Sequence, residues 1–248
     1  MKHRTDYSRI AERYDNNPTR HKIAAEPLLE GYLDTMPRIL DIACGTGNWI
    51  AAQRDYYPDL KAVWLGVDAS PEMLAVAKAK LVGTDLAGEN LVLGRAEDLP
   101  FGDGSIRFAA SNFAYHHFDD LSRAMAEAHR VLCTGGTLVL TNVCPEHMDD
   151  WWVYRFFPST RAIDDARFPE NHVLFDLLRE VGFATELTTT VRTAERPAQP
   201  ILEEALNRDV SQLTLIDDVE YAAGIEKIRN STTVAGSVAL VRIVARIP

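Results

Sequence analysis

At 248 residues, with 46% apolar and 25% charged content, the chain has the make-up of one α/β domain with a large core. A formal charge of −10 with no basic stripe excludes a long phosphate-backbone footprint, so nucleic acid is not an expected partner. The three cysteines, Cys44, Cys133 and Cys144, lack Cys-x-x-Cys spacing and exclude a disulfide scaffold, and no metal is expected.

The polar start, Met1 to Asp6, is followed by no apolar signal region, and no apolar run is long enough to span a bilayer. The expected location is cytoplasmic, without membrane insertion. Tyr7, Ile10, Ala11 and Tyr14 then fall at helical spacing and predict an amphipathic segment over 5–16, stopped by Asn16-Asn17-Pro18. A second helix is expected over about 19–33, with Ile23, Leu28, Leu29 and Tyr32 facing inward.

Ile39-Leu40 is a short strand-type run that ends at Asp41. Asp41-Ile42-Ala43-Cys44-Gly45-Thr46-Gly47 follows and gives way to a helical pattern from Trp49. A strand, a glycine turn and a helix start make the first βα unit of a nucleotide-binding sheet. Gly45 and Gly47 admit positive φ and close backbone approach, and the N–H groups opening the next helix are ready for polar ligand atoms. Ile50 stands where a dinucleotide fingerprint has its third glycine, which counts against a nicotinamide enzyme. No Gly-Lys-Ser/Thr ending is present, which excludes a P-loop. Cys44 reads as a small buried residue of the turn.

Val63–Val67 predicts a second strand ending at Asp68, some 20 residues past the turn, where one carboxylate can accept both hydroxyls of a ribose. Ser70-Pro71 is an N-cap followed by Pro at the first helical position, and Met73 lies within the next turn. Leu91–Gly94 and Ile106–Ala110 read as the third and fourth strands, with a turn over 102–105 between them. Asp119 or Asp120 caps a helix whose Leu121, Met125, Ala128, Val131 and Leu132 share a face. Cys133 to Gly136 read as a glycine helix stop before a fifth strand over 137–141.

Residues 147–168 hold Trp151, Trp152, Tyr154, Phe156 and Phe157, with Arg155, Arg161 and Arg167 among them. That density reads equally as a cap over a site and as a satellite core or dimer contact. A helix over 172–181 ends at Gly182, and a strand starts at Phe183. Pro197 and Pro200 are expected to break the chain before a helical insert over 201–229 and a closing strand over 237–247.

The acidic-x-small-x-Gly-x-Gly turn, the acid at 68, Arg95-Ala96-Glu97-Asp98-Leu99-Pro100-Phe101 after the third strand and Arg130-Val131-Leu132-Cys133-Thr134-Gly135-Gly136 together resemble the class I S-adenosylmethionine-dependent methyltransferases. The resemblance covers residues 38–142, and the nearest relatives look like the small-molecule enzymes of ubiquinone and menaquinone biosynthesis. It implies a doubly wound, Rossmann-like α/β sheet, mostly parallel with an antiparallel last strand and helices on both faces. One domain over 1–248 is expected, with a helical lid over 1–36, a cofactor core over 37–142 and candidate cap insertions over 143–170 and 197–232.

The implied reaction is methyl transfer from S-adenosylmethionine to a small-molecule acceptor by in-line displacement; the alternative is a non-catalytic module binding S-adenosylmethionine or S-adenosylhomocysteine. The resemblance places Tyr14 and Arg20 of the lid near the methionine end and Asp41, Ala43, Gly45, Thr46 and Gly47 in the turn. Asp68 with Ala69 belongs at the ribose, Met73 at the adenine face, and the Ala96 N–H at a ring nitrogen. Arg95 stands where the family has an Asp, so the carboxylate there is expected from Glu97 or Asp98. Asn112 reaches the cofactor. His116 and His117 lie on the loop facing the methyl, as candidate bases or as groups that only bond backbone carbonyls. Whether the chain forms a homodimer stays open.

Overall fold

A computed structural model describes residues 11–81 and 90–248. The first half of the opening amphipathic segment, with Tyr7 and Ile10, lies outside the described residues. Seven strands form one sheet: β1 Arg38–Ile42, β2 Val63–Asp68, β3 Leu91–Leu93, β4 Ile106–Asn112, β5 Leu132–Val143, β6 Ala184–Pro197 and β7 Thr233–Arg246. Their order is β3-β2-β1-β4-β5-β7-β6. The pairs β1–β2, β2–β3, β1–β4 and β4–β5 are parallel. β7 runs the other way: the Ile247 N–H donates to Gly136 O and the Cys144 N–H to Ala239 O, both at 3.0 and 2.9 Å respectively, so residue numbers rise on one strand as they fall on the other. The mostly parallel, doubly wound sheet with an antiparallel last strand is the architecture expected from the sequence.

Nine α-helices surround the strands among the described residues: α1 Ala11–Tyr14, α2 Asn48–Tyr56, α3 Pro71–Lys80, α4 Leu121–Val131, α5 Trp152–Phe156, α6 Ser159–Arg167, α7 Asn171–Val181, α8 Ala198–Leu206 and α9 Asp218–Arg229. The chain groups into two compact units. One holds the described residues between 11 and 141, with 175–187 and 242–248; the other holds 142–174 and 188–241.

In the first unit, Ile39, Leu40 and Ile42 of β1 and Trp64, Leu65 and Val67 of β2 are buried in succession, as central parallel strands require. One core cluster joins Ile39 and Trp64 to Trp49 and Ile50 of α2, Leu74 of α3, Phe108, Val139 and Val244. Trp49 stacks on Phe108 with ring centroids 6.5 Å apart. Each such side chain contributes about 1.5–3 kcal/mol by burial, which fixes β1 and β4 beside one another. α3 starts on the predicted cap, Ser70 Oγ accepting the Met73 N–H at 3.2 Å ahead of Pro71. Of the two candidate caps for α4, Asp120 performs the role, its Oδ1 accepting the Arg123 N–H at 3.0 Å.

Three local expectations are corrected. Residues 19–33 form no continuous α-helix; two 3-10 turns, Pro18–His21 and Pro27–Tyr32, flank an extended stretch. The cause is competition from α2. Gln53 accepts the Glu26 N–H at 2.7 Å and donates to Ala24 O at 2.9 Å, and the Tyr57 hydroxyl donates to Glu26 O at 2.9 Å. Those bonds take the backbone groups a helix needs, and Pro27 has no N–H to offer. Second, α4 runs straight into β5 at Leu132, and the glycines form a bulge in that strand. The partners step from Ile106↔Leu132 to Phe108↔Thr137, with Gly135 at φ 69° inside the bulge. Third, Pro200 does not break the chain. It sits in the first turn of α8, where no intrahelical donor is lost.

The second unit has an aromatic centre of its own. Trp151 meets Trp152 and Tyr154 edge-on at 6.2 and 5.1 Å, and Phe157 lies 6.1 Å from Tyr221 of α9. No helix among the described residues is long and apolar enough to cross a membrane.

Candidate functional site

The carboxyl ends of β2, β1 and β4, three neighbours in the sheet, carry most of the residues singled out from the sequence. In open α/β sheets this end is where a crevice forms for ligands. Three residues of five in the turn after β1 have positive φ: Ala43 at 60°, Gly45 at 54° and Gly47 at 76°. The two glycines adopt it without strain, and Ala43 does so at a cost that such turns carry at functional sites. A Cβ on Gly45 would meet nothing within 4 Å, so the backbone there faces open space. On Gly47 it would press on Leu81 and Ala77 at 3.3 and 3.4 Å. The first glycine leaves room for a ligand; the second lets α3 pack.

Asp68, at the end of β2, turns its carboxylate to this bend. Oδ2 accepts the Gly45 N–H at 2.8 Å and Oδ1 accepts the Ser70 N–H at 2.9 Å. The group therefore stands half-buried at the turn. Asp41, one strand over, is only 2% exposed, and its pKa is raised well above the usual carboxylate range by burial first and by the Asp68 charge second. Burial likewise pushes the Cys44 thiol well up, so it is a protonated packing group; Gly66 leaves the space that its sulfur fills.

Asp15 joins the site although nothing in the sequence marked it. Its Oδ1 accepts from Thr46 Oγ1 and from Asn48 Nδ2, both at 2.8 Å, and its Oδ2 pairs with Lys80 Nζ at 2.7 Å. The arm ahead of β1 is thereby fastened to the turn. Beside it, the Arg20 guanidinium lies over the Tyr14 ring at 3.6 Å and donates to Tyr14 O at 2.7 Å. Burial raises the Tyr14 pKa, the Arg20 charge opposes the rise, and the charges of Asp15 and Asp68 add to it.

At the end of β4, Ser111 Oγ and Asn112 Nδ2 are buried polar atoms with no hydrogen-bond partner among the described residues. A buried unpaired group of this kind costs about 1–3 kcal/mol. Phe113 follows with φ 54° and is half exposed, a bulky residue held in the left-handed region and missed by sequence reading. His116 and His117 come next in a 3-10 turn, their rings 3.8 Å apart, His116 being the more buried.

On the β3 side, Met73 and Ala96 are buried. Ala69 is exposed. Glu97 has other work: Oε1 accepts the Asp119 and Asp120 N–H groups at 2.7 and 3.3 Å, and Oε2 pairs with Arg95 Nε at 3.3 Å. Its carboxylate is held at the start of α4, so of the two acids considered there, Asp98 is the exposed one. Arg95, the departure from the family pattern, closes this knot by bonding Asp119 as well.

In the second unit Cys144, Glu146 and His147 bring ligand-type atoms within 4.8 Å of one another. The cysteine is bonded as a thiol, donating to Glu146 Oε1 at 3.6 Å and accepting from Asn171 Nδ2 at 3.2 Å, and burial raises its pKa to about 11.

The model of the methyltransferase domain matches residues 40–140, which contain the turn, Asp68, the buried pair 111–112 and the histidines. The chain is 41% identical over 170 residues to the demethylmenaquinone methyltransferase of Chlorobaculum parvum, covering 59% of this chain and 66% of that protein. It spans about half the length of other curated relatives of that name. Among solved structures it resembles a protein from an antibiotic biosynthesis pathway of Anabaena variabilis, at TM-score 0.68 and 18% identity over 90% of this chain and 98% of that one. It also resembles, at TM-score 0.54 and 16% identity, the phosphoethanolamine N-methyltransferase 2 of Haemonchus contortus in complex with S-adenosylhomocysteine, over 96% of this chain and 52% of that one. Residues 40–140 carry a methyltransferase domain, and the chain is similar in sequence to S-adenosylmethionine-dependent methyltransferases.

Proposed function

We propose that the protein transfers a methyl group from S-adenosylmethionine to a small, flat acceptor, with the nucleoside seated on the turn between β1 and α2. The observation that carries this reading is the Asp68 carboxylate turned to the Gly45 N–H beside open space. A carboxylate so placed accepts the two hydroxyls of a ribose with charge-assisted bonds. Ser111 Oγ and Asn112 Nδ2 are the buried groups that a polar ligand at the end of β4 would satisfy. Tyr14 and Arg20 stand on the arm that Asp15 fastens over the turn, and Met73 and Ala96 supply apolar wall.

When bound, S-adenosylmethionine supplies an already electrophilic methyl, so the hard chemistry belongs to the cofactor. The chain's task is to hold the acceptor in line and keep water out, placement of this kind contributing about 7–11 kcal/mol. If the acceptor atom carries a proton, His116 or His117 is the group positioned to take it, an effect typically worth about 10²–10⁴ in rate. The curated relatives are named for a quinone-type acceptor, which favours a flat ring compound here.

Calorimetry with S-adenosylmethionine and S-adenosylhomocysteine tests the reading; folded protein that binds neither removes it. Asp68→Ala is expected to weaken both by roughly 10–100-fold, about 1.5–3 kcal/mol for charge-assisted hydrogen bonds. Transfer of a labelled methyl to flat phenolic acceptors separates an enzyme from a binding module, and His116→Gln or His117→Gln should then lower kcat without changing cofactor affinity.

A further inference from the structure

Directly after β5 the chain reads Cys144-Pro145-Glu146-His147 and makes a single 3-10 turn over Pro145–His147. Pro145 sets the φ of the first position and has no N–H to leave over. The His147 N–H closes the turn on Cys144 O at 3.0 Å, and a 3-10 bond brings residues three apart over one another. The turn is fixed at both ends. The Cys144 N–H donates to Ala239 O of β7 at 2.9 Å, and Met148 is fully buried with its N–H on Pro145 O at 3.0 Å.

Three different metal-binding atoms meet on this turn. Glu146 Oε1 lies 3.6 Å from Cys144 Sγ and 3.7 Å from His147 Nε2. The thiol, carboxylate and imidazole ligand atoms all fall within 4.8 Å of one another. A tetrahedral cation with bonds of about 2.3 Å to sulfur and about 2.0–2.1 Å to nitrogen and oxygen sets its ligand atoms about 3.3–3.6 Å apart. The two edges through Glu146 are already close to that, and the third closes with a swing of the half-exposed His147 side chain. Asn171, at the start of α7, holds the other two ligands from behind. Its Nδ2 donates to Cys144 Sγ at 3.2 Å and its N–H to Glu146 Oε2 at 3.4 Å, which leaves Oε1 turned to the sulfur and the imidazole. Outer contacts of this kind orient a ligand set around its ion.

We propose that Cys144, Glu146 and His147 bind a zinc-class divalent cation, with the fourth position open to solvent. The proposal is independent of the methyl-transfer reading. Donor chemistry selects the ion: thiolate and imidazole suit zinc and cobalt, whereas magnesium and calcium take sets of oxygens. Charge agrees. A thiolate and a carboxylate balance the two positive charges and a neutral imidazole adds none, so no net charge is left beside the buried sulfur. On binding, the S–H bond is exchanged for a metal–sulfur bond and the proton passes to solvent, since a coordinated thiol is deprotonated outright. The Glu146 and His147 side chains are 34% and 50% exposed, which gives the ion its way in. The expectation of no metal rested on the lack of paired cysteines, and a set built from three different residue types escapes that pattern.

The test titrates cobalt(II) chloride into the full chain after treatment with a chelator, follows the thiolate-to-cobalt charge-transfer absorption, and then competes with zinc chloride. One cobalt per chain should give the absorption, zinc should remove it, and Cys144→Ser should abolish it. His147→Gln changes an exposed side chain, so the fold is kept, and zinc affinity should fall at least tenfold, as even outer-shell losses cost about 10–100-fold. Circular dichroism checks the fold of each variant, and His147→Gln carries the test if the buried serine unfolds the chain. No charge-transfer absorption in the wild type, absorption that persists in folded Cys144→Ser, or unchanged zinc affinity in His147→Gln each overturns the proposal. S-adenosylhomocysteine is titrated separately, with and without zinc, so failure of cofactor binding and failure of metal binding are told apart.

Discussion

Thr46 donates its hydroxyl hydrogen to Asp15 Oδ1 at 2.8 Å, tying the arm ahead of β1 to the glycine turn behind it. Burial alone would raise the Asp15 pKa. Hydrogen bonds from Lys80, Thr46 and Asn48 together outweigh it and hold the carboxyl below its usual range. An acid with a lowered folded pKa contributes stability that is present above the ordinary carboxylate range and lost as pH falls through the folded value. Asp15→Ala is expected to weaken S-adenosylhomocysteine binding about five- to twentyfold, near 1–2 kcal/mol, because the arm loses its hold on the turn. Calorimetry at pH 7 checks it, and the same loss should appear in the wild type only in acid. Equal affinity in variant and wild type would mean the arm is held by other contacts.

Gly45 and Gly47 share a left-handed φ but should fail differently. Alanine at either position costs about 1–2 kcal/mol of backbone strain. At Gly45 the new methyl meets no protein atom, and it projects into the open space over the turn, so ligand affinity should fall at least tenfold beyond any loss of stability. At Gly47 the methyl crowds Leu81 and Ala77. Overpacking adds about 1–3 kcal/mol, and the damage should register mainly as a lower Tm. Thermal melts and titrations on both variants decide the matter; a reversed pattern would misplace the ligand.

Asp41 gives a pH signature of the opposite sign. Its folded pKa is raised, by burial and then by the Asp68 charge. Below the ordinary carboxylate range both folded and unfolded chains keep the proton, and nothing is lost. As pH rises, the unfolded chain releases its proton first, so stability drops until the folded value is passed and stays lower above it. Asp41→Asn removes that drop. The ligand-free variant should therefore melt at a higher temperature than wild type at pH 7, with a flatter profile from pH 4.5 upward, while binding S-adenosylhomocysteine less well. A variant melting below wild type across that range would show that the charge is stabilising in place.

Much of this architecture is legible in local residue order. Ile39-Leu40-Asp41 and Val63 to Asp68 are apolar runs ending in acids, and Ser70-Pro71 starts a helix by chemistry that involves only its own neighbours. What stayed hidden depends on partners far along the chain. The stretch 22–26 has helical spacing, yet its backbone is claimed by Gln53 and Tyr57, some thirty residues away. Asp15 looks like any surface acid until the fold brings Thr46 and Lys80 to it. Glu97 reads as a ligand group by position, and only the structure puts the Asp119 N–H in front of it. Arg167 could not be told from Arg155 or Arg161 by spacing, because the difference is burial against α6's own Asp164.

The aromatic centre of the second unit sets the last expectation. Gly224 lies in the middle of α9, where glycine is about 1 kcal/mol worse than alanine for an exposed helix. Propensity therefore predicts that Gly224→Ala stabilises. Packing predicts the reverse, since a Cβ there would run into the Phe157 ring and come within 2.8 Å of Phe156 O. The ring is fully buried and the carbonyl belongs to α5, so neither can withdraw at little cost. Overpacking of about 1–3 kcal/mol outweighs the propensity gain, and Tm should fall by roughly 2–8 °C for a chain of this size. Phe157→Leu in the same background frees space beside the helix and should return part of the loss. If Gly224→Ala melts at or above the wild-type temperature, α9 and α5 are less tightly packed than their contact at Phe157 indicates.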